Sequence, residues 1–253
     1  MNKITLITGA TSGIGKSCAY IFAKHKHDLI IIGRRAERLE DISQDLISKY
    51  DINVLQLCVD IRNRDDVINA IESMPNVWKK IDVLINNAGL AVGLSTIQDA
   101  EIDDWERMID TNVKGLLYSS RAVIPLMIRN KRGHVINIGS IAGKEVYPNG
   151  NIYCATKHAV DALTKGMRID LVEENIKVTQ IAPGAIETEF SIVRFKGDKS
   201  KADSIYDGYQ PLSPDDVANV TYYSTTLPSH VNINDMVIMP TAQASSMVFN
   251  KSI

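Results

Sequence analysis

A tyrosine and a lysine lie four residues apart in the segment YCATK, as Tyr153 and Lys157. Residues i and i+4 of a helix share one face, so the two side chains are expected to point the same way. A free tyrosine has a pKa of about 10, but a nearby ammonium group favours the phenolate and lowers that pKa. The pair indicates proton transfer to and from a carbonyl or alcohol oxygen. An isolated pair would be more simply explained as a surface Tyr and Lys on one helix face.

Two further polar residues occupy positions at which they could serve the same chemistry. Ser140 ends the segment INIGS, directly after an apolar run, where its hydroxyl could polarise a substrate oxygen. Asn112 lies in DTNVKG within a long helical pattern, although asparagine is a poor helix former. Local hydrogen bonding to the backbone is the alternative explanation for Asn112. Taken with the Tyr–Lys pair, these residues favour an enzyme that exchanges a proton with a small carbonyl or alcohol.

A glycine-rich segment, TGATSGIG at Thr8–Gly15, follows the first apolar run directly. Its glycines, Gly9, Gly13 and Gly15, let the backbone turn tightly and approach a pyrophosphate, and a helix beginning near Ile14 would direct its N–H groups at the phosphates. The spacing is GxxxGxG instead of the commoner GxGxxG. Such a segment can be only a turn, but its position after the first strand favours a dinucleotide site.

Other polar segments also follow candidate strands. Asp60 ends the third strand in VDIRN, where it could bond an adenine amino group, and NNAG (Asn86–Gly89) ends the fourth. Ligands of such folds lie at the carboxyl ends of strands. Each segment alone is more often turn chemistry. Their joint position predicts that they line the same cofactor site.

Two arginines follow the second candidate strand where an acidic residue would hold the ribose 2′-hydroxyl of NAD. Gly33 lies at about that position, roughly 20 residues beyond the glycine-rich segment, so no acidic side chain is present there. Arg34 offers a forked cation suited to a phosphate, and Arg35 offers a second contact or a plane over adenine. The alternative is that both arginines begin a solvated helix. The pattern favours NADP over NAD.

Short apolar runs alternate with amphipathic stretches along the chain and would position these residues. The predicted strands are Ile4–Ile7, Leu29–Ile32, Asn53–Val59, Val83–Ile85, Val135–Ile138, Val178–Ile181 and Met236–Met239. The predicted helices include Ala36–Lys49, Asp65–Ser73, Asp103–Arg129, Tyr153–Glu174 and Pro214–Leu227. Apolar strands separated by helices predict a seven-stranded parallel sheet covered on both faces, in a doubly wound α/β fold.

One stretch, Ser191–Pro214, breaks the alternation because it is polar, charged and carries glycines. It is too long for a plain connection in a compact domain, and we predict that residues 190–213 form a substrate lid. A solvated surface excursion is the alternative. Within this stretch Arg194 and Lys196 could meet a substrate carboxylate, and arginine is well shaped for bidentate pairing. We take Arg194 as a hypothetical substrate ligand, against the alternative of a solvated or structural arginine.

The composition excludes several classes of protein. The chain of 253 residues has 45% hydrophobic and 23% charged residues, and its net charge of −2 gives no electrostatic case for binding nucleic acid or an anionic membrane. Cys18, Cys58 and Cys154 match no disulfide or zinc pattern, so we expect free thiols in a reducing compartment and no metal. The N-terminus is not read as a signal peptide, and no apolar stretch reaches the roughly 18 residues of a membrane span. A cytoplasmic protein is expected.

The whole chain resembles the short-chain dehydrogenase/reductase family, through TGATSGIG, NNAG, Asn112, Ser140, YCATK and the PG at Pro183–Gly184. The resemblance implies a single Rossmann-type domain over residues 1–253 that transfers a hydride with a nicotinamide cofactor. It further implies that Tyr153 is the general acid/base, that Lys157 binds the nicotinamide ribose and lowers the pKa of the tyrosine, that Ser140 orients the substrate carbonyl, and that Asn112 holds a water in a proton relay.

The resemblance and the motifs together give a set of site residues. The expected cofactor ligands are Gly9, Thr11, Ser12, Gly13, Ile14, Gly15, Arg34, Arg35, Asp60, Ile61, Asn87, Ala88, Gly89, Tyr153, Lys157, Pro183, Gly184, Ile186 and Thr188. The expected substrate ligands are Ser140, Tyr153 and Arg194. Among these, Ile186 and Thr188 would meet the nicotinamide carboxamide.

A narrower resemblance is carried by NNAGLAVG, DWERMIDTNVKGLLY, SIVRFKGD and LPSHVNIN. These segments are similar to the NADP-dependent 3-hydroxy acid dehydrogenase branch, also called serine or L-allo-threonine dehydrogenase, whose members are typically homotetramers and some of which reduce malonic semialdehyde. The chain is one residue shorter than some members before RFKGD, and it reads GKEVY at Gly143–Tyr147 where others differ. Both differences flank the expected substrate pocket, so they leave the substrate preference less secure than the branch.

These observations leave three candidate functions. The first is an NADP(H)-dependent oxidoreductase acting on small 3-hydroxy acids or β-hydroxy amino acids, such as serine, L-allo-threonine or 3-hydroxypropionate. The second is a broad-range short-chain carbonyl or aldehyde reductase. The third is an inactive NADP-binding sensor, against which the intact set of Asn112, Ser140, Tyr153 and Lys157 argues.

Overall fold

The fold is built on one parallel β-sheet, described here over residues 2–252 of a computed structural model. Its strands are β1 (Ile4–Thr8), β2 (Asp28–Gly33), β3 (Val54–Cys58), β4 (Ile81–Asn86), β5 (His134–Ile138), β6 (Lys177–Pro183) and β7 (Asp235–Ile238). The strand order is β3-β2-β1-β4-β5-β6-β7, and every neighbouring pair is parallel. The order reverses direction beside β1, which places a ligand crevice between the carboxyl ends of β1 and β4.

Helices cover both faces of this sheet. They are α1 (Gly13–Lys24), α2 (Ala36–Tyr50), α3 (Arg64–Glu72), α4 (Ile102–Ile109), α5 (Leu116–Arg129), α6 (Asn151–Asp170), α7 (Glu189–Arg194), α8 (Lys199–Ser204) and α9 (Pro214–Thr226). Successive residues of a strand point to opposite faces, so Ile7 of β1 packs with Phe22 of α1, whereas Leu6 packs with Val123 of α5. The prediction of a Rossmann-type α/β domain with a seven-stranded parallel sheet is confirmed.

The predicted helix Asp103–Arg129 differs from the structure. A π-helical turn, Asp110–Gly115, separates α4 from α5. This turn carries Asn112, whose side chain bonds the backbone of Leu90 instead of pointing to solvent. A π turn inserts an extra residue into a helix and is often found at functional sites. The turn explains why a poor helix former is tolerated in the middle of a long helical pattern.

The stretch from residue 190 to residue 213 contains most of α7 and all of α8, and Leu212 near its end forms a bridge with Ile186 of the loop after β6. The three cysteines are free thiols, with Cys18 and Cys154 buried and Cys58 exposed. Across residues 2–252, none of the helices has both the length and the apolar character needed to cross a bilayer. In the same range, His, Cys, Asp and Glu side chains form no group of three that could hold a metal ion.

Candidate active site

The glycine-rich segment forms a tight turn between β1 and α1. Gly9 and Gly13 have φ angles of +68° and +50°, in the left-handed region that favours glycine. A Cβ on Gly15 would lie 2.3 Å from the carbonyl oxygen of Gly9 and 2.4 Å from the Asn87 amide nitrogen, so no larger residue fits there. These positions bring bare backbone to the crevice and leave room for a pyrophosphate.

The N-terminus of α1 is free to receive an anion. Ser12 is its N-cap residue, yet no side-chain cap bond forms, and the first turn carries no acidic residue among those described. The first N–H groups of a helix lack partners within it and carry a partial positive charge. The residues present therefore fit the diphosphate of a dinucleotide, with Gly13, Ile14 and Gly15 at the helix start.

The NNAG segment braces the glycine-rich turn. The Asn87 side chain donates to the carbonyl oxygens of Thr8 at 2.9 Å and Gly9 at 3.1 Å. The backbone N–H groups of Asn87 and Ala88 both donate to the Thr8 hydroxyl, at 3.0 and 3.1 Å. The Asn87 amide is thus occupied in holding the turn, while Ala88 and Gly89 form the wall of the crevice beside it.

The two arginines after β2 lie in different surroundings. The Arg35 guanidinium donates to the Thr11 hydroxyl at 2.8 Å and the Ser12 hydroxyl at 3.1 Å, which fixes it against the glycine-rich turn. Arg34 is half exposed, and its nearest acidic atom is a carboxylate oxygen of Asp60 at 3.7 Å. A Cβ on Gly33 would lie 2.7 Å from a Thr11 methyl carbon, so glycine permits this close packing. Both cations lie where a ribose 2′-phosphate is expected.

A carboxylate that the sequence did not single out also contacts these arginines. Glu189, the first residue of α7, accepts from Arg38 at 2.9 Å and from Arg35 at 3.2 Å. The pKa of Glu189 is raised by partial burial, but the bonds from Arg38 and Arg35 outweigh this and hold it below its usual range. The start of α7 is therefore attached to the same basic cluster that would meet the cofactor.

Asp60 and Ile61 follow β3, at the side of the crevice where an adenine ring is expected. Burial opposes ionisation of Asp60, but hydrogen bonds from Arg62, including one of 2.6 Å, hold its pKa below the usual range. Ile61 is buried against the π turn, and a Cβ on Gly115 would lie 2.9 Å from its side chain. Asp60 is thus an ionised carboxylate with one oxygen shared between two arginines.

The candidate catalytic pair projects from α6 into the crevice, and both side chains are buried. The Lys157 ammonium donates to the carbonyl oxygen of Ile138 at 2.9 Å, and burial lowers its pKa to about 8. A Cβ on Gly89 would lie 3.6 Å from this ammonium, so the glycine keeps the space in front of it open. The Lys157 ammonium therefore borders open space near the end of β4.

Tyr153 lies beside Ser140, which begins the short turn Ile141–Gly143 after β5. The Ser140 hydroxyl accepts from the Ala142 N–H at 3.0 Å. Burial raises the pKa of Tyr153 above its usual value, and the charge of Arg194 and hydrogen bonding with Ser140 offset only part of this increase. Lys157, which the resemblance predicts to lower this pKa, is not among the described groups that shift it. The positive charge that acts on Tyr153 comes from Arg194 instead.

The Asn112 side chain makes three hydrogen bonds within the protein. Its amide nitrogen donates to the Leu90 carbonyl at 2.8 Å and to the Thr156 hydroxyl at 3.0 Å, and its oxygen accepts from the Leu90 N–H at 2.8 Å. Thr156 in turn donates to the Tyr153 carbonyl at 2.8 Å. The Asn112 side chain therefore ties the loop after β4 to the turn of α6 that carries Tyr153.

Arg194, the last residue of α7, reaches back into the site. Its guanidinium carbon lies 5.0 Å from the ring centroid of Tyr153, 5.1 Å from that of Phe190 and 5.7 Å from that of Tyr147. One guanidinium nitrogen donates to the Tyr147 hydroxyl at 2.7 Å. The buried Nε atom finds no partner within residues 2–252. The guanidinium thus retains a donor that an anionic ligand could use.

An open, shallow pocket lies between the loop after β4, helix α4 and the start of α6. Tyr153 and Arg194 both line it, together with Trp105, Met108 and Asn151. The Arg194 carbonyl accepts from the Gly93 N–H at 3.0 Å, which closes α7 against the loop. The tyrosine and the arginine therefore face the same open pocket.

The predicted nicotinamide loop follows β6. Pro183 ends the strand, Gly184 donates to the Ile238 carbonyl at 2.8 Å, and Thr188 lies beside Gly13 of the glycine-rich turn. Gln243, near the end of the chain, accepts from the Ala185 N–H at 2.8 Å, and a Cβ on Gly184 would lie 2.3 Å from the same oxygen. The loop is thereby fixed by a residue that carried no recognisable sequence signal.

The chain is similar in sequence and in fold to known dehydrogenases. The sequence profile of the family described as short chain dehydrogenase matches residues 3–199. An NADP-dependent 3-hydroxy acid dehydrogenase from Schizosaccharomyces pombe is 44% identical over 96% of this chain and 95% of its own. Sulfoacetaldehyde reductase 2 from Chromohalobacter salexigens is 41% identical over 97% of both chains. The closed form of a serine dehydrogenase complexed with NADP+ superposes with a TM-score of 0.91, at 44% identity, over 98% of both chains.

Proposed function

Because this chain belongs to the short-chain dehydrogenase family, we propose that it is an NADP(H)-dependent oxidoreductase that interconverts a small anionic 3-hydroxy compound and its carbonyl form. The substrate class includes 3-hydroxy acids and β-hydroxy amino acids such as serine. The observation that carries the proposal is the position of Arg194, a cation that lines the same pocket as Tyr153. A short substrate can then place its carboxylate on the arginine and its hydroxyl at the tyrosine.

The cofactor would lie across the crevice between β1 and β4. Its diphosphate would meet the glycine-rich turn and the start of α1, and Arg34 and Arg35 would meet the 2′-phosphate. Lys157 would hold the nicotinamide ribose, and Ile186 and Thr188 would border the carboxamide. Relatives named for NADP and a neighbour complexed with NADP+ support this choice of cofactor.

Tyr153 would move the proton of the reaction. When a hydroxyl compound is oxidised, its O–H proton passes to the Tyr153 phenolate and its carbon gives up a hydride, which leaves a carbonyl group. The bound nicotinamide supplies the hydride acceptor or donor. Ser140 would hydrogen-bond the reacting oxygen. Tyr153 and Lys157 are both buried, which would limit the access of water to the proton transfer.

Substrate charge is the feature that separates this proposal from a broad carbonyl reductase. The guanidinium of Arg194 is half-buried among aromatic rings, donates from one nitrogen to Tyr147, and has a buried Nε donor without a partner in residues 2–252. A charge-assisted pair with a carboxylate or sulfonate would satisfy that donor. Relatives named for a hydroxy acid, serine and sulfoacetaldehyde all point to substrates that carry an acidic group.

The segment 190–213 would act as the lid over this pocket. Its helix α7 contacts the basic cluster through Glu189 and the substrate pocket through Arg194. A lid of this kind sequesters the reacting atoms from water and completes the binding site. In this proposal the lid carries the substrate ligand, so closure and substrate binding occur together.

A kinetic panel tests the proposed function. Oxidation of 3-hydroxypropionate, serine and allo-threonine, and reduction of malonic semialdehyde, should show kcat/KM at least about tenfold above neutral alcohols and aldehydes of the same size, since a charge-assisted pair adds about 1.5–3 kcal/mol. Each substrate is assayed with NADP and NAD. Equal or better turnover of the neutral compounds would instead identify a broad-range carbonyl reductase.

We also propose a homotetramer. Apolar side chains on or beside the long helices are strongly exposed, among them Ile102 at 64%, Ile169 at 74% and Val172 at 68%. Such side chains on α4 and at the end of α6 are suited to a symmetric contact between copies. Sedimentation equilibrium should give about four times the 28.0 kDa chain mass, and a monomer at micromolar concentration would contradict the proposal.

A further inference from the structure

The face of the Tyr153 ring meets a permanent positive charge. Arg194 stacks over this ring, and its guanidinium is held in position by Phe190 on one side and the Tyr147 hydroxyl on the other. An arginine keeps its charge throughout the pH range in which proteins function. A cation at this distance favours the phenolate form of a tyrosine over the neutral phenol.

Charged and titratable groups around Tyr153 come from each neighbouring element. They are Arg194 of α7, Lys157 and Cys154 of α6, Tyr147 of the loop before α6, and Glu101 and Asp104 beside and within α4, which line the same pocket. The Asp104 carboxylate is paired with Lys196 at 2.7 Å. The Lys157 ammonium is directed to the Ile138 carbonyl, and burial brings its pKa to about 8, so its charge declines just above neutral pH. Arg194 is the cation of this set that lies over the ring of Tyr153.

We propose that Arg194 controls proton transfer at Tyr153 as well as binding the substrate: it stabilises the phenolate, and a substrate carboxylate or sulfonate that pairs with it cancels this effect. The second half of the inference rests on the proposed function, since it requires that Arg194 binds the anion. Arg194 is then a positioning and charge-tuning residue whose action on the tyrosine depends on the charge of the substrate.

This arrangement has a consequence for both directions of the reaction. In carbonyl reduction Tyr153 must donate a proton, and a bound anionic aldehyde would offset the arginine and keep the proton on the tyrosine. A neutral alcohol leaves the arginine charge uncompensated, so the phenolate needed for oxidation is reached at lower pH. Neutral and anionic substrates should therefore give different pH profiles of kcat, which reports the groups that titrate in the enzyme–substrate complex.

The decisive experiment compares pH profiles of the full-length enzyme and three variants. The measurement is kcat/KM for oxidation of a neutral alcohol, 2-butanol, between pH 6 and 10. Arg194→Gln should move the ascending limb to higher pH, which lowers kcat/KM on that limb about three- to tenfold. Arg194→Lys, which keeps the charge, should restore most of the profile, and Arg64→Gln, which removes an exposed arginine of α3, should shift it little.

A direct titration covers the case of weak turnover. Tyrosinate absorbance is measured for wild type and Arg194→Gln, each corrected with the same protein carrying Tyr153→Phe. The midpoint of Tyr153 should rise in Arg194→Gln, and added propionate should raise it in wild type alone. Circular dichroism and NADP+ binding establish that each variant is folded.

The outcomes distinguish this inference from the proposed function. An unchanged Tyr153 midpoint in Arg194→Gln overturns the inference. If the same variant has a raised KM for 3-hydroxypropionate, Arg194 still binds the substrate anion, and the proposed function is retained. A raised midpoint with an unchanged KM for 3-hydroxypropionate would mean that Arg194 tunes the tyrosine but does not bind the substrate anion. A midpoint insensitive to propionate would overturn the cancellation by substrate charge.

Discussion

The guanidinium of Arg194 lies 5.0 Å from the ring centroid of Tyr153, although the two residues belong to different helices, α7 and α6. This contact joins the two tasks of the proposed enzyme, holding an anion and moving a proton. Glu189 begins the same helix, so α7 contacts the Arg35 and Arg38 side chains at one end and the pocket at the other.

Replacing Tyr153 by phenylalanine should lower kcat by at least about 100-fold, because the ring remains but the proton-transferring hydroxyl is lost. Binding of NADP+, followed by fluorescence titration, should stay within about twofold of wild type. Tyr223→Phe is the matched control, since that tyrosine lies exposed on α9, and it should retain full activity. Substantial turnover in the Tyr153 variant would remove the tyrosine from the mechanism.

Replacing Arg34 by alanine should weaken NADP+ binding about tenfold or more, since a charge-assisted bond to the 2′-phosphate is lost. Affinity for NAD+ should hardly change, so the preference between the cofactors narrows. Arg64→Ala, at an exposed arginine of α3, is the control for general loss of charge. If Arg34→Ala kept the full NADP preference, Arg35, which is fixed on Thr11 and Ser12, would become the principal phosphate ligand.

Replacing Glu189 by glutamine should raise KM for 3-hydroxypropionate about two- to fivefold. The half-exposed ion pairs with Arg35 and Arg38 are each worth about 0.2–1 kcal/mol, and their loss should loosen α7 and with it Arg194. Because the pairs are screened by salt, the difference from wild type should shrink at 0.5 M NaCl. Glu174→Gln, an exposed glutamate beyond α6, provides the control, and an identical KM in both variants would show that the ion pairs do not position α7.

Replacing Asn112 by alanine should lower the free energy of unfolding by about 2–4 kcal/mol in urea titrations, because the buried N–H and C=O of Leu90 lose their partners. Thr156→Val, which removes one neighbouring hydroxyl, should cost about 1 kcal/mol. Both variants should also lower kcat, through displacement of Tyr153. Normal stability with strongly reduced kcat in Asn112→Ala would instead favour a direct role in a proton relay.

Much of the fold was evident from local pattern. The seven apolar runs, with helical stretches between them, predicted strands that the structure reproduces to within about two residues at each end. The pattern was reliable because strands of a parallel sheet are buried on both faces and therefore apolar throughout. The interruption of Asp103–Arg129 by a π turn escaped prediction, since the bonds of Asn112 to Leu90 form only after folding.

The sequence by itself determined which groups reach the crevice. Glycines after β1, polar residues at strand ends and the i, i+4 spacing of Tyr153 and Lys157 are local signals, because backbone geometry carries each of them to a known edge or face. Only the tertiary structure decided what those groups touch. It placed Arg194 over Tyr153, Glu189 on Arg35 and Arg38, and Gln243 under the Ala185 N–H. Such contacts depend on how separate elements pack, and neither the spacing nor the type of a residue specifies its distant partner.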